Sequence, residues 1–207
     1  MTAYEKELYT DFKKCGAFLE GHFQLSSGLH SPHYVQCALA LKNPARSFAM
    51  GAELKKRWKG PKPDLIISPA LGGLIIGHET ARAFGVDFLF TERENNAMTL
   101  RRGFMLERGS KIIIVEDVFT TGKSTMEVFE TVKKARAEVL GALSIVNRMG
   151  DKNFYFPSQS LIKLELKAYS SADCPLCAKS MPLIKPGSRN PIPGTSAGQR
   201  RPGRLPE

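Results

Sequence analysis

Cysteine is scarce in this chain: there are four in 207 residues, with Cys15 and Cys37 isolated and only Cys174 and Cys177 paired as C-x-x-C. That count excludes a disulfide scaffold and fits a reducing compartment. The four histidines, His22, His30, His33 and His78, show no metal-ligand spacing relative to the cysteines. With no second C-x-x-C, the Cys174/Cys177 pair is at most half of a zinc site, and its surroundings lack the strand-to-helix setting of a redox dithiol. The pair reads as structural. Long apolar runs are missing too. The run at 111–115 falls far short of the roughly 20 residues needed to span a membrane. The first residues carry acids and no apolar stretch ahead of a cleavage site. These absences lead to the expectation of a soluble, cytoplasmic protein without a membrane partner.

Acidic residues are in the minority, 20 against 30 Lys and Arg, leaving a net charge of +10. Such an excess first suggests nucleic acid. Its placement argues otherwise, because five of the ten excess charges lie from residue 178 onward. The stretch 187–207 is dense in Pro, Gly and Arg and nearly free of large apolar side chains, so it is expected to be a disordered basic tail.

What the chain does have is 42% hydrophobic residues in short runs, enough for one sizeable core. Helical spacing is expected over 4–15, and Pro44 opens a second helix to about 58, with extended chain between them that includes a strand over 34–37. From residue 63 the pattern alternates. Strands are expected over 65–67, 86–90, 111–115 and 139–146, helices over 72–84 and 122–137, and extended pieces over 161–166 and 181–184. Branched apolar strands alternating with helices indicate an α/β fold with a mainly parallel central sheet flanked by helices. The polar stretch 91–102 is expected to be a mobile functional loop or a hairpin arm.

Ile112-Ile113-Ile114-Val115-Glu116-Asp117-Val118-Phe119-Thr120-Thr121-Gly122-Lys123-Ser124 carries the strongest chemical signal. It is a buried strand ending in two acids, then a turn opening a helix. A P-loop would need Gly where Asp117 stands, so that reading fails. Backbone N–H groups and hydroxyls of Thr120, Thr121, Gly122 and Ser124 at a helix N-terminus, with Lys123, instead suit a terminal monophosphate. Glu116 and Asp117 at the C-terminal sheet edge suit the vicinal hydroxyls of a ribose. Together they describe a phosphoribosyl site.

This stretch resembles the phosphoribosyl pyrophosphate (PRPP) motif of the type I phosphoribosyltransferases. Ser68-Pro69-Ala70-Leu71-Gly72-Gly73 is similar to the family's pyrophosphate loop, and Ser27-Gly28-Leu29-His30-Ser31-Pro32 looks like the base-binding hood of orotate phosphoribosyltransferases. Arg148, ending the last core strand, matches the position whose guanidinium meets the orotate carboxylate. The resemblance spans about 4–189. It implies a hood segment at 1–60, a phosphoribosyltransferase core at 61–150, and strands at 151–186 completing core and hood.

The resemblance further implies transfer of ribose 5-phosphate from PRPP to orotate, giving orotidine 5-phosphate and pyrophosphate in UMP synthesis. Asp117, Glu116, Arg101 and Arg102 would be catalytic. Leu71, Gly72, Gly73, Arg93 and residues Glu116, Asp117, Val118, Phe119, Thr120, Thr121, Gly122, Lys123 and Ser124 would hold PRPP. Thr120, Arg148, Ser27, Gly28 and Tyr34 would bind orotate. Mg2+ would arrive with PRPP, without direct protein ligands, Asp117 being the candidate for a contact through water. A homodimer, with the 92–102 loop reaching the neighbouring subunit, is also implied. The sequence departs from many members by lacking a Lys in the pyrophosphate loop and a Lys-Asp-His-type cluster in the mobile loop, where Asn95-Asn96-Ala97 stands. Arginines and backbone groups are therefore expected to carry the diphosphate. The alternatives are another nucleobase phosphoribosyltransferase and a non-catalytic phosphoribosyl-sensing regulator.

Overall fold

The alternation of short apolar strands and amphipathic helices is realised in a computed structural model that describes residues 1–25, 27–95 and 97–186. The elements in chain order are α1 (Ala3–Lys14), β1 (Phe18–Gln24), β2 (His30–Val35), α2 (Cys37–Leu41), α3 (Pro44–Arg57), β3 (Leu65–Pro69) and α4 (Gly73–Phe84). They continue with β4 (Asp87–Glu94), β5 (Ala97–Leu100), β6 (Lys111–Phe119), α5 (Lys123–Lys134), β7 (Glu138–Asn147), β8 (Ser158–Lys163) and α6 (Pro175–Ala178).

Local chemistry explains the boundaries. At α1, Thr2 and Glu5 form a reciprocal capping box that satisfies free N-terminal donors. Asn43 caps α3 ahead of Pro44, whose missing N–H costs nothing in a first turn. Gly85 ends α4 at φ 69°, a left-handed conformation that other residues resist.

The chain divides into two compact units. The first comprises Met1–Phe18 and Val35–Leu166 and holds a six-stranded sheet in the order β5-β4-β3-β6-β7-β8. All its pairings are parallel except β4 with β5, which is an antiparallel hairpin. β6 shows why the apolar run is continuous. Ile113 and Val115 join a cluster with Leu54, Ile76 and Leu161, whereas Ile112 and Ile114 join one with Val128 and Val132, so both faces are covered. Trp58 closes the α3 end of this core. It is 9% exposed, donates its indole N–H to the Pro61 carbonyl at 2.8 Å, and lies so close to Gly60 and Gly141 that a Cβ on either would come within 2.4–2.6 Å of its ring.

The second unit comprises Leu19–Tyr34 and the described part of Lys167–Glu207. The β1-β2 pair forms a two-stranded sheet, with isolated bridges from Phe23 to Ile184 and from His30 to Tyr169. The two units are interleaved in sequence, whereas the linear reading set consecutive segments. Residues 35–60 pack with the sheet unit.

One local expectation changes and one is decided between its alternatives. The strand placed at 34–37 runs from His30 to Val35, and Cys37 opens a short helix in which Cys37, Ala40 and Leu41 are buried. The 91–102 stretch takes the hairpin alternative, paired from Thr91↔Leu100 to Glu94↔Ala97. The tail at 187–207 lies outside the described residues. Among the described residues, no helix is long and apolar enough to cross a membrane.

Candidate active site at the carboxyl edge of the sheet

β3 sends its crossover helix toward β4, while β6 pairs on the opposite side of β3. A ligand site of an open parallel sheet is expected at that reversal, beyond the carboxyl ends of β3 and β6. The sequence-predicted motifs meet there. After β3, the loop at Ala70, Leu71 and Gly72 is held by the Ala70 N–H donating to the Thr91 carbonyl at 2.8 Å. The Ala70–Leu71 peptide is cis, and Leu71 is exposed. A Cβ placed on Gly72 would sit 2.7 Å from Asp117 Oδ1, and one on Gly73 would sit 2.9 Å from the Val115 carbonyl. Glycine is what lets this backbone approach Asp117 and the end of β6.

β6 is longer than its apolar run, so Glu116 and Asp117 are strand residues with fixed directions. Alternation sends them to opposite faces. Asp117 Oδ1 accepts its neighbour Val118 N–H at 2.9 Å, and burial raises its carboxyl above the usual range against that hydrogen bond. Glu116 accepts from the Thr125 hydroxyl. Burial, reinforced by the Asp117 charge, pushes Glu116 up to about 7 despite hydrogen bonds from Thr125 and Ser124. The two acids therefore differ in their surroundings. Beneath them the Cys37 thiol lies 3.9 Å from the Asp117 carbonyl. Burial, then the Asp117 charge, raises this thiol, which keeps it protonated and unreactive.

The Thr120-to-Ser124 turn enters α5 through Gly122 at φ 76°. A Cβ there would meet the Phe154 ring at 2.8 Å, and Phe154 is stacked on Phe156 at 5.0 Å between centroids. The turn thus rests on an aromatic layer, with Thr120, Thr121 and Lys123 exposed. Arg148 follows β7 and donates its backbone N–H to the Phe119 carbonyl at 2.8 Å, which places it beside the end of β6.

The hairpin arginines are engaged with glutamates. Arg102 forms two hydrogen bonds of 2.9 Å with Glu92, and that pairing holds Glu92 below the ordinary carboxyl range. Arg101 lies 3.5 Å from Glu94, and Arg93 pairs with Glu127 on α5. Thr125 and Glu127 were not singled out from the sequence. The available signal was their place on the first turns of α5, within reach of Glu116 and the hairpin.

Ser27, Gly28 and Tyr34 belong to the second unit. Gly28 turns at φ 83°, with its N–H on the Leu25 carbonyl at 2.9 Å. That unit also corrects the reading of the histidines: His22, His30, Cys174 and Cys177 offer ligand atoms within 4.8 Å of one another. Linear spacing missed the set because two of its members lie on paired strands and two on a segment about 150 positions later.

A family model described as the phosphoribosyl transferase domain matches residues 41–155. Orotate phosphoribosyltransferase of Caldanaerobacter subterraneus subsp. tengcongensis is 46% identical over 187 residues, covering 89% of this chain and 98% of the relative. That of Thermotoga maritima is 47% identical over 178 residues, covering 86% and 95%. Among solved structures, orotate phosphoribosyltransferase from Aeropyrum pernix superposes with a TM-score of 0.65 at 24% identity, covering 76% of this chain and 94% of that one, and so agrees in fold. The sheet order, the loop beside Asp117 and these similarities agree: the chain belongs to the orotate phosphoribosyltransferases of the type I phosphoribosyltransferase family.

Proposed function

We propose that this protein transfers ribose 5-phosphate from PRPP to N1 of orotate, giving orotidine 5-phosphate and pyrophosphate. The observation that carries the reading is the approach of the Gly72 backbone to the Asp117 carboxylate. That approach supports the reading of a backbone anion loop next to a hydroxyl-binding acid, as one sugar diphosphate would require. The α5 N-terminus with Thr120, Thr121 and Lys123 takes the 5-phosphate. Glu116 and Asp117 accept from the ribose hydroxyls and stabilise the positive charge that develops on the sugar as pyrophosphate departs. Arg148 offers a planar fork to the orotate carboxylate. No covalent nucleophile is required, since positioning and electrostatics suffice.

Mg2+ belongs to the proposal. The residues fit a hard cation in kind, since the edge acids Glu116 and Asp117 offer carboxylate oxygens and the Gly72 backbone passes close to the Asp117 carboxylate, where a diphosphate would bring its own oxygens. Bound with the diphosphate, the ion would neutralise leaving-group charge. Arg93, Arg101 and Arg102 exchange their glutamate partners for phosphate oxygens in the same reading. A homodimer, with the β4-β5 arm serving the neighbouring subunit, completes it.

Incubation with PRPP, Mg2+ and orotate, followed by the loss of orotate absorbance, tests the reaction. Turnover with adenine and none with orotate would overturn it in favour of another nucleobase. No turnover with any base, with salt-sensitive RNA binding, would favour a regulator. Mixing Asp117→Asn chains with Arg101→Ala chains tests the arm. Recovery of activity in the mixture supports action across subunits, and none refutes it.

A further inference from the structure

The second unit has little apolar interior. Its buried described residues are His22, Phe23, His30, Ser31 and Cys174, so titratable ligand-type side chains occupy the place of a core. Residues 19–25, 27–34 and 167–186 are too few for a self-sufficient hydrophobic core, which generally takes more than about 40. Units of that size commonly draw on disulfides, metals or packing against other surfaces. No disulfide is present here, as all four cysteines are free.

The geometry of the cluster is that of a coordination shell. His22 Nε2 and His30 Nδ1 are 3.0 Å apart. Cys174 Sγ lies 3.5 Å from His22 Nε2, and Cys177 Sγ lies 3.7 Å from His22 Nε2 and 3.3 Å from His30 Nδ1. A tetrahedral zinc site with bonds of about 2.0–2.1 Å to nitrogen and about 2.3 Å to sulfur has N···N and N···S edges of roughly 3.3 and 3.6 Å. The observed edges scatter around those values. His22 Nδ1 lies 2.9 Å from the Met181 carbonyl. A carbonyl only accepts, so Nδ1 carries the proton and Nε2 turns its lone pair into the cluster, the arrangement that orients metal-bound histidines.

We propose that His22, His30, Cys174 and Cys177 form a structural zinc site that holds the β1-β2 hairpin to α6 and its flanking segment. Two sulfurs and two nitrogens in tetrahedral array select zinc over hard, oxygen-seeking cations. All four positions are filled by protein, which makes the site structural. On binding, the two thiols release their protons to solvent, and two thiolates balance the charge of Zn2+.

The test uses the full chain, produced with zinc in the medium and purified without chelator. About one zinc per chain is expected by mass spectrometry. After chelation under reducing conditions, loading with Co2+ should give the intense visible bands of a tetrahedral thiolate site. The Cys174→Ser/Cys177→Ser double variant should lose at least about tenfold of the bound zinc, whereas Cys15→Ser keeps it. A wild-type chain that binds no zinc when loaded stoichiometrically, a weak octahedral cobalt spectrum, or full zinc retention by the double variant would overturn the proposal. The wild-type measurements decide the matter even if the double variant does not fold.

Discussion

The sheet-edge site and the His/Cys cluster are built by opposite means. At the sheet edge, rigid parallel strands deliver short contiguous loops, and glycines let the backbone come close to the end of β6. In the second unit the backbone only delivers side chains, from two strands and from the cap and first turn of a four-residue helix widely separated from them in sequence. The first site is organised by a core that exists without ligand. The second substitutes ligand atoms for a core. A strand-loop-helix site is therefore legible as a motif, whereas a site gathered from distant segments is not.

Breaking the sheet-edge site should cost activity and leave the cluster alone. Asp117→Asn is expected to lower turnover by about 10²–10⁴-fold with zinc content and melting temperature near wild type; wild-type kinetics would remove Asp117 from the chemistry. Arg148→Ala should raise the orotate KM by roughly 10²-fold and that of PRPP far less, and equal effects on both would refute the carboxylate role. Gly72→Ala presses a Cβ against Asp117 Oδ1, 2.7 Å away. It should reduce kcat/KM by about tenfold or more, and an unaffected variant would show that the close approach is dispensable.

Smaller effects sharpen the contrast through pH. Because Glu116 titrates at about 7 in the fold and near the ordinary carboxyl value when unfolded, the folded chain keeps a proton that the unfolded chain releases between those values. Stability attributable to this residue therefore falls as pH rises from about 4.5 through 7. Glu116→Gln should remove that slope, raising stability at pH 8 by at most about 3 kcal/mol, read as a higher melting temperature, and leaving it unchanged at pH 4. A gain that is equal at both values would contradict the buried acid. Smallest of all, Glu92→Gln should leave the melting temperature unchanged and alter the PRPP KM by about threefold or less by freeing Arg102. A larger change in melting temperature would make the pair structural.

Much of the sheet unit could be read from the chain. The run 111–115 and the Thr-Thr-Gly-Lys-Ser turn are local, so periodicity and turn chemistry suffice. The end of β6 was less legible, because polar Glu116 and Asp117 interrupt the apolar pattern while the backbone continues pairing through Phe119. Cys37 was read as strand because a short apolar run does not distinguish strand from helix. The glutamate partner of Arg102 depends on hairpin register, which local pattern leaves open between Phe90 and Lys111, and that of Arg93 on how the hairpin packs against α5. The His/Cys cluster depends on tertiary closure over about 150 residues, and no spacing rule encodes that.

Trp58 is the chain's single tryptophan, and it is buried in the sheet unit. The second unit has no indole, so tryptophan emission acts as an address label that reports on one unit alone. Tyr34 and Tyr169 supply absorbance in the other. Chelation that loosens the cluster should raise protease sensitivity within the second unit while the indole emission holds steady, so the one tryptophan separates loosening of that unit from unfolding of the sheet.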